Sequence, residues 1–380
     1  MLRDDFRVIG GEPGVGLPAV EFELQGAGTR SQLFFRASEP VLEASSEAFV
    51  ACSLLPAMAS GVAIELAGPV SVRLVSALPT IVDIMTAWNT QLTRVSFPSL
   101  VPVANRRSSP GRVGAFFSGG VDAFYTFLKH RDEVTDLVFI HGFEIPLKNG
   151  DLRRLAATSV DAVASEFGVG VVHVETNLKP VLDSFAHWRS GIGPALATIG
   201  HLLAPAFERL YIASSVHYRD LFPWGTHPLL DPLWSSEALG FVHDGCEARR
   251  VEKVEFIADF DAVLSNLLVC HPQHFKGGDV YNCGRCQKCV RTMIALEVAG
   301  KLSQCTSFNR PLNGPSVAAL SASEETRAFY QENLEALRRQ RTRPDLQRAL
   351  DSCLRGPAWL QRARRGFARR ALRRIRRRGY

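Results

Sequence analysis

Residues 112–130 read RVGAFFSGGVDAFYTFLKH. The apolar run 113–117 has the length and composition of a short buried strand, and 122–130 has the spacing of a helix. Only Ser118, Gly119, Gly120 and Val121 separate the two patterns. Two consecutive glycines let backbone N–H groups turn inward and approach an anion closely. The new helix adds its unpaired N–H groups and the positive end of its dipole. Ser118 can donate a hydroxyl, and Asp122 can hold a cation that bridges phosphates or brace the loop. A lone Ser-Gly-Gly would be an ordinary turn capped by Ser and Asp. Its place between strand and helix favours a phosphate loop.

Outward from this loop the same alternation continues. Strands are expected at 137–141, 169–175 and 210–213, with helices at 151–167 and 194–203. This pattern predicts an α/β fold with a doubly wound, mostly parallel sheet. Ligands of such sheets bind at the carboxyl ends of the strands. Chemistry should therefore collect after Phe117, His141, Glu175 and Ala213.

Four of the eight cysteines cluster, as Cys270, Cys283, Cys286 and Cys289. Four thiolates at this spacing suit the closed tetrahedral shell of a structural Zn²⁺. Gly284 relieves the tight turn between Cys283 and Cys286, and a helix is expected over 289–299. A ferredoxin-type iron–sulfur run would need a further cysteine near Met293, where none stands. His271 and His274 are alternatives to Cys270 as fourth ligand. Cys52, Cys246, Cys305 and Cys353 are scattered and read as packing residues.

The loop resembles the SGGxDS signature of the PP-loop ATP pyrophosphatase family, whose fold is the adenine nucleotide alpha-hydrolase-like sheet. With the cysteine array behind it, the segment 112–300 resembles the 7-cyano-7-deazaguanine synthase branch, which carries a zinc site ending in CGxCxxC. The resemblance implies an ATP-dependent ligase that adenylates a carboxylate or amide, yielding AMP and pyrophosphate, for attack by a nitrogen nucleophile. It implies ATP, Mg²⁺ and Zn²⁺ as cofactors. Ser118 and Asp122 would be catalytic. Phe117, Ser118, Gly119, Gly120, Val121, Asp122 and His141 would bind the nucleotide. Ala123 stands where the family has Ser or Thr, which removes one hydroxyl donor worth roughly 1–3 kcal/mol if charge-assisted. Thr126, one turn later, could take its place. The alternative is a catalytically weakened nucleotide- and nucleic-acid-binding component of a defence or modification system.

Between the expected strands lie two further candidate segments. His187, Trp188 and Arg189 precede Gly191 and Gly193 in a flexible loop that feeds a helix from Pro194, a second anion site. Residues 214–237 form a long loop that mixes Tyr218, Trp224 and Trp234 with His217, Arg219, His227 and Asp231. Its aromatics could stack a planar base while His227 or Asp231 reads the base edge, or it could be a loop packed on its own tryptophans. Arg189, Trp224, His227, Asp231 and Lys253 are thus the substrate candidates.

The remainder sets the boundaries. Residues 1–108 read as a β-rich domain, with strands at 20–25, 32–36, 62–66 and 70–75 and a helix at 80–92. The glycines of 10–16 lack the Lys-Ser/Thr of a Walker loop. A linker at 105–111 leads into the PP-loop domain, 109–310. A helical region, 311–353, has a capping box at Ser321 and Glu324, and an Arg-rich tail, 354–380, closes the chain. Residues 355–380 hold eleven Arg and no acid, leaving 33 bases against 38 acids in residues 1–354. The tail therefore carries the basic excess, as an amphipathic helix suited to nucleic acid or an anionic membrane surface. The uncharged stretches 48–64 and 190–207 contain Pro or Gly and read as core elements rather than membrane spans. Without an export signal or a disulfide framework, the expected location is cytoplasmic. The expected small-molecule partners are ATP and a carboxylate or purine-like substrate; the reading leaves room for a homodimer.

Overall fold

The computed structural model describes residues 7–9, 19–26, 29–66, 68–104, 110–275, 277–278, 280–320 and 322–355. In chain order the first elements are β1 (Arg7–Ile9), β2 (Ala19–Gly26), β3 (Thr29–Ala37), α1 (Ser46–Ser60), β4 (Pro69–Ser71), α2 (Val72–Trp88) and β5 (Val101–Val103). Next come β6 (Arg112–Phe116), α3 (Val121–Lys129), β7 (Asp136–His141), α4 (Gly150–Phe167), β8 (Gly170–Thr176), α5 (Leu178–Asp183), α6 (Trp188–Leu203), β9 (Phe207–Ala213) and β10 (Gly240–Asp244). The rest is helical: α7 (Arg250–Ile257), α8 (Asp261–Asn266), α9 (Gln287–Val298), α10 (Gly314–Ala318), α11 (Glu324–Gln340) and α12 (Pro344–Leu354). The chain divides into two compact units, residues 1–248 with 266–268, and residues 249–265 with 269 onward.

The first unit is an α/β structure built on one mostly parallel sheet, ordered β1-β2-β3-β8-β7-β6-β9-β10. Strands β8, β7, β6, β9 and β10 are parallel neighbours. From β6 the chain winds first toward β8 and then returns to add β9 and β10 on the other side. The strand order reverses between β6 and β9, which opens the crevice where such sheets take ligands. The glycine loop leaves β6 at this point.

The N-terminal region differs from the separate β-rich domain expected for residues 1–108. Strand β3 pairs antiparallel with β8, Phe35 opposite Thr176, so β1–β3 extend the main sheet. The stretch 46–60 is helical and runs through Pro56; Ser45 caps it by accepting from the Ala48 N–H, and Gly61 ends it at φ 68°. Ala48 and every residue from Val50 to Met58 are buried, so no 3.6-residue period marks it in the sequence. The strands expected at 62–66 and 70–75 reduce to the three residues of β4, after which Ser71 caps α2.

Helix α6 begins six residues before the expected Pro194, which lies inside it. Segment 187–193 is therefore mostly helix, not a flexible loop. Gly193 is required there, because a Cβ would fall 1.9 Å from the Gly225 carbonyl oxygen.

In the second unit α9 packs against α7 and α11, and α12 against α10 and α11. The expected boundary at 310 falls within this unit. The cap of α11 is Ser323 with Thr326, not Ser321 with Glu324. Ser321, the glycines of 10–16, linker residues 105–109 and tail residues 356–380 lie outside the described residues. Among the described residues no helix is long and apolar enough to cross a membrane.

Candidate functional site

The carboxyl end of β6 is held from below. The Phe117 N–H donates to the Val138 carbonyl at 2.9 Å, and the Phe117 ring lies edge-on to Phe124 and Phe127 in the core. Phe117 and Val121 therefore anchor the loop through buried side chains, while Ser118 is exposed. Gly119 adopts φ +72°, and its carbonyl accepts from the Leu268 N–H at 2.7 Å. Gly120 occupies the N-cap of α3, and no side chain caps that end. A helix start without a side-chain cap keeps its N–H groups for an anion. Asp122 lies in this first turn.

The hydroxyl that could replace the one missing at Ala123 is committed elsewhere. Thr126 is buried and donates to Asp244 Oδ2 at 2.9 Å. Lys129 Nζ and His130 Nε2 also reach Asp244, at 2.8 and 3.1 Å. Burial opposes the Asp244 charge, but these hydrogen bonds hold its carboxyl below the usual range. Ala123 itself is only 5% exposed, so the family's hydroxyl position faces the interior in this chain.

His141 ends β7 and is buried, with Nδ1 3.5 Å from Glu175 Oε2 at the end of β8. Glu175 pairs with Arg153 of α4. Neither ring nitrogen of His141 has a hydrogen-bond partner among the described residues. Burial, with Arg153 nearby, depresses the His141 pKa and keeps the imidazole neutral. Arg153 gave no signal in the sequence, because it reaches the strand ends only once α4 has folded back along the sheet.

The substrate candidates separate. The Arg189 guanidinium lies over the Trp224 ring at 4.9 Å. These two residues, with Trp88, Asn89 and Ser190, line a small cavity beside the start of α6. His227 and Asp231 do not face it as base readers. His227 is buried with its ring edge-on to Trp88, and its Nδ1 accepts from the Leu229 N–H. Asp231 is fully buried, and both carboxylate oxygens are engaged, by His243 Nδ1 at 2.7 Å and by the His227 N–H at 3.2 Å. Loop 214–237 thus packs partly on its own residues. Lys253 belongs to α7 of the second unit, where its side chain is buried rather than on a solvated face.

Cys270, Cys283, Cys286 and Cys289 of the second unit bring their sulfurs within 4.8 Å of one another. The Cys270–Cys286 and Cys283–Cys289 separations are 3.8 and 3.9 Å. A tetrahedral ion with metal–sulfur bonds of about 2.3 Å sets sulfur–sulfur edges of about 3.8 Å. The four thiols therefore form a group that could hold a metal such as zinc. Asn282 ties the two halves together: its Oδ1 accepts from the Val269 and Cys270 N–H groups, and its Nδ2 donates to the Ser307 carbonyl. Cys286 caps α9, its sulfur accepting from the Cys289 N–H. Hydrogen bonds from Cys270 and Cys289 hold the Cys286 thiol down, while the same contacts push Cys289 up. Four thiolates so close need a cation to coexist. His271 and His274 are not in the group, whose fourth member is Cys270.

A glycine loop at the switch point of a parallel sheet and a closed four-cysteine group define a class: an α/β protein with a candidate anion site and a candidate metal site. Compared with known proteins, the chain matches no family model, no curated sequence and no solved structure.

Proposed function

We propose that this chain is an ATP pyrophosphatase-type ligase of the PP-loop kind, with an adenine nucleotide alpha-hydrolase-like sheet. It adenylates a carboxylate or amide, and a nitrogen nucleophile then displaces AMP, as in 7-cyano-7-deazaguanine synthase-like enzymes. The observation that carries this reading is the Ser118–Gly119–Gly120 loop, which opens α3 without a side-chain cap.

In this mechanism the N–H groups of the loop and the first turn of α3 stabilise charge developing on the leaving pyrophosphate. Ser118 donates a further hydrogen bond. Asp122 would hold Mg²⁺, which neutralises phosphate charge when bound. Neutral His141 lines the nucleotide side of the crevice. Arg189 and Trp224 offer a cation and a flat ring to a purine-like carboxylate. Cys270, Cys283, Cys286 and Cys289 would hold zinc in a closed shell with a purely structural role. No Walker Lys or kinase base offers itself for γ-phosphoryl transfer. A cytoplasmic location suits unoxidised thiols. The Arg-rich tail is assigned to nucleic acid or an anionic membrane surface, and a homodimer is compatible with this scheme.

The test is product analysis by ion-exchange chromatography with ATP, Mg²⁺, ammonium and candidate acids, deazapurine carboxylates included. AMP and pyrophosphate are expected; ADP as main product refutes the mechanism. One observation favours the second reading, a nucleotide-binding component with weakened catalysis: Ala123 lacks the hydroxyl, and Thr126 is bonded to Asp244. ATP binding with no turnover of any acid would select it.

A further inference from the structure

The glycine loop and the cysteine group are joined by a short stretch of chain. Leu268 holds the loop: its N–H donates to the Gly119 carbonyl at 2.7 Å. Its side chain is buried directly against Gly119, where an added Cβ would fall 2.8 Å from Leu268 Cδ1. Two residues later stands Cys270, one of the four thiols brought together for a metal. Asn266, Leu267 and Leu268 count with the first unit, although the chain on both sides of them belongs to the second.

Both flanks of this stretch are pinned inside the second unit. Before it, the Leu264 carbonyl accepts from the Cys305 thiol at 3.1 Å and from the Ser307 hydroxyl at 2.9 Å. After it, the Val269 and Cys270 N–H groups donate to Asn282 Oδ1 at 2.9 and 3.1 Å. Asn282 is 2% exposed and immediately precedes Cys283, a second member of the cysteine group. An ion bound to Cys270 and Cys283 would therefore fix both sides of this clamp. Without the ion, the thiols lose the cation that lets thiolates coexist, and hydrogen bonds alone hold Cys270 to Asn282.

Three consecutive N–H groups, of Leu268, Val269 and Cys270, are thus engaged, the first on the glycine loop and the other two on the clamp. Consecutive Cα atoms lie about 3.8 Å apart, so the backbone at Leu268 follows any displacement of Cys270. The Gly119 carbonyl feels that displacement directly. Beyond it, the Phe124 N–H closes the first turn of α3 on the Gly120 carbonyl at 3.0 Å. The N–H groups assigned to phosphate lie between these two bonds, and such groups stabilise an anion best when held in place beforehand.

Resting on the zinc and phosphate-loop readings above, we propose that Leu268 is a positioning residue that couples metal occupancy of the cysteine group to the geometry of the glycine loop. With zinc bound, Cys270 and Asn282 hold the stretch in place. Leu268 then keeps Gly119 in its left-handed conformation and the first N–H groups of α3 aimed at the phosphates. Loss of zinc frees the clamp, Leu268 leaves the Gly119 carbonyl, and nucleotide affinity falls. The shell stays closed and the metal takes no part in the chemistry; its structural role reaches the loop along the chain. Coupling of this kind is reciprocal, so bound nucleotide strengthens zinc retention by the same factor.

The experiment uses the full chain in three states: zinc-loaded, stripped with dipicolinate, and reloaded. Hydrogen exchange at the Leu268 amide, resolved by electron-transfer fragmentation, reads the clamp; isothermal titration with Mg–ATP reads the loop. Zinc removal should speed Leu268 exchange and weaken Mg–ATP binding, each about tenfold or more, and reloading should restore both. The Phe117 amide, bonded to the Val138 carbonyl, is the control and should stay protected. A Leu268 amide equally protected with and without zinc overturns the proposal. So does unchanged Mg–ATP affinity when that amide opens. If the Phe117 amide opens too, the zinc-loaded Leu268→Ala protein decides. With one zinc per chain retained, it should loosen the Phe124 amide and bind Mg–ATP about fivefold or more weakly; parental values overturn the proposal. A zinc-loaded parent that binds no Mg–ATP removes the phosphate-loop reading, while Leu268 exchange still decides the clamp. A parent that takes up no zinc removes the metal reading and the coupling with it.

Discussion

Substituting the two loop glycines one at a time separates their structural and binding roles. Gly119 sits at φ +72°, and a Cβ there would meet Leu268 Cδ1, Cγ and Cβ at 2.8, 2.9 and 3.1 Å. Leu268 cannot step aside freely, because its N–H is bonded to the Gly119 carbonyl at 2.7 Å. A non-glycine residue in the left-handed region costs about 1–2 kcal/mol. Forcing a methyl group into a packed site costs about 1–3 kcal/mol more. Gly119→Ala should therefore destabilise the first unit by about 2–5 kcal/mol, a fall in melting temperature on the order of 10 °C. Gly120 has ordinary φ −83°, and its Cβ would meet Ser118 Oγ at 3.4 Å and the Leu268 carbonyl oxygen at 3.6 Å. Gly120→Ala should be nearly neutral for stability. Its methyl group would stand among the groups assigned to phosphate, so ATP affinity should fall about tenfold or more, a loss of about 1.4 kcal/mol. Thermal unfolding and isothermal titration calorimetry read the two quantities. A Gly119→Ala protein within about 0.5 kcal/mol of the parent would refute the packing argument. Unaltered ATP affinity in Gly120→Ala would remove the loop from the phosphate site.

Cys286→Ser should abolish the one zinc ion expected per chain and open residues 270–300 to limited proteolysis, as befits a closed structural site; retained zinc by metal analysis contradicts it. The Asp231–His243 pair makes stability depend on pH. With the folded His243 pKa at about 9, above the ordinary 6.5, its contribution is complete below pH 6.5 and lost as pH rises through 9. Urea midpoints at pH 6, 7.5 and 9.5 should fall in that order by more in the parent than in Asp231→Asn. Thr126→Val should cost about 1–3 kcal/mol, because it leaves Asp244 short of one buried donor. ATP affinity should not change; a drop would return Thr126 to the phosphate site.

The parts of this molecule legible in its sequence are those whose cause is local. β6, the glycine loop and α3 announce themselves, because the conformational freedom of two glycines and the change of hydrophobic period occur within nineteen residues. The cysteine array is readable for the same reason, three of its four ligands lying within seven residues. Helix α1 is hidden because it is buried all round. The early start of α6 is hidden because it contains Gly191 and Gly193, ordinarily helix breakers, and Gly193 is needed inside it where the Gly225 carbonyl closes on it. β1–β3 resemble a separate domain because nothing near them in sequence reveals that β3 pairs with β8, well over a hundred residues away.

Site residues follow the same division, and there it bears on chemistry. Asp231 looked like a base reader because an acid among the aromatics of a long loop has no partner visible in the sequence. Its partner, His243, arrives from β10, twelve residues on. That pairing uses Asp231 up as a reader and leaves His243 Nε2 buried with no hydrogen-bond partner among the described residues. Cys246, read as packing because it was scattered among other cysteines, is distinguished from equally buried Cys52 only by what surrounds it. Composition and exposure treat the two thiols alike; the hydrogen bond from Cys246 to Ser214 Oγ sets one of them apart. Reactivity in a buried cysteine is set by its neighbours. The residues proposed to bind phosphate through backbone geometry could therefore be found in the sequence, whereas side-chain pairs such as Asp231 with His243 appear only once distant segments are brought together.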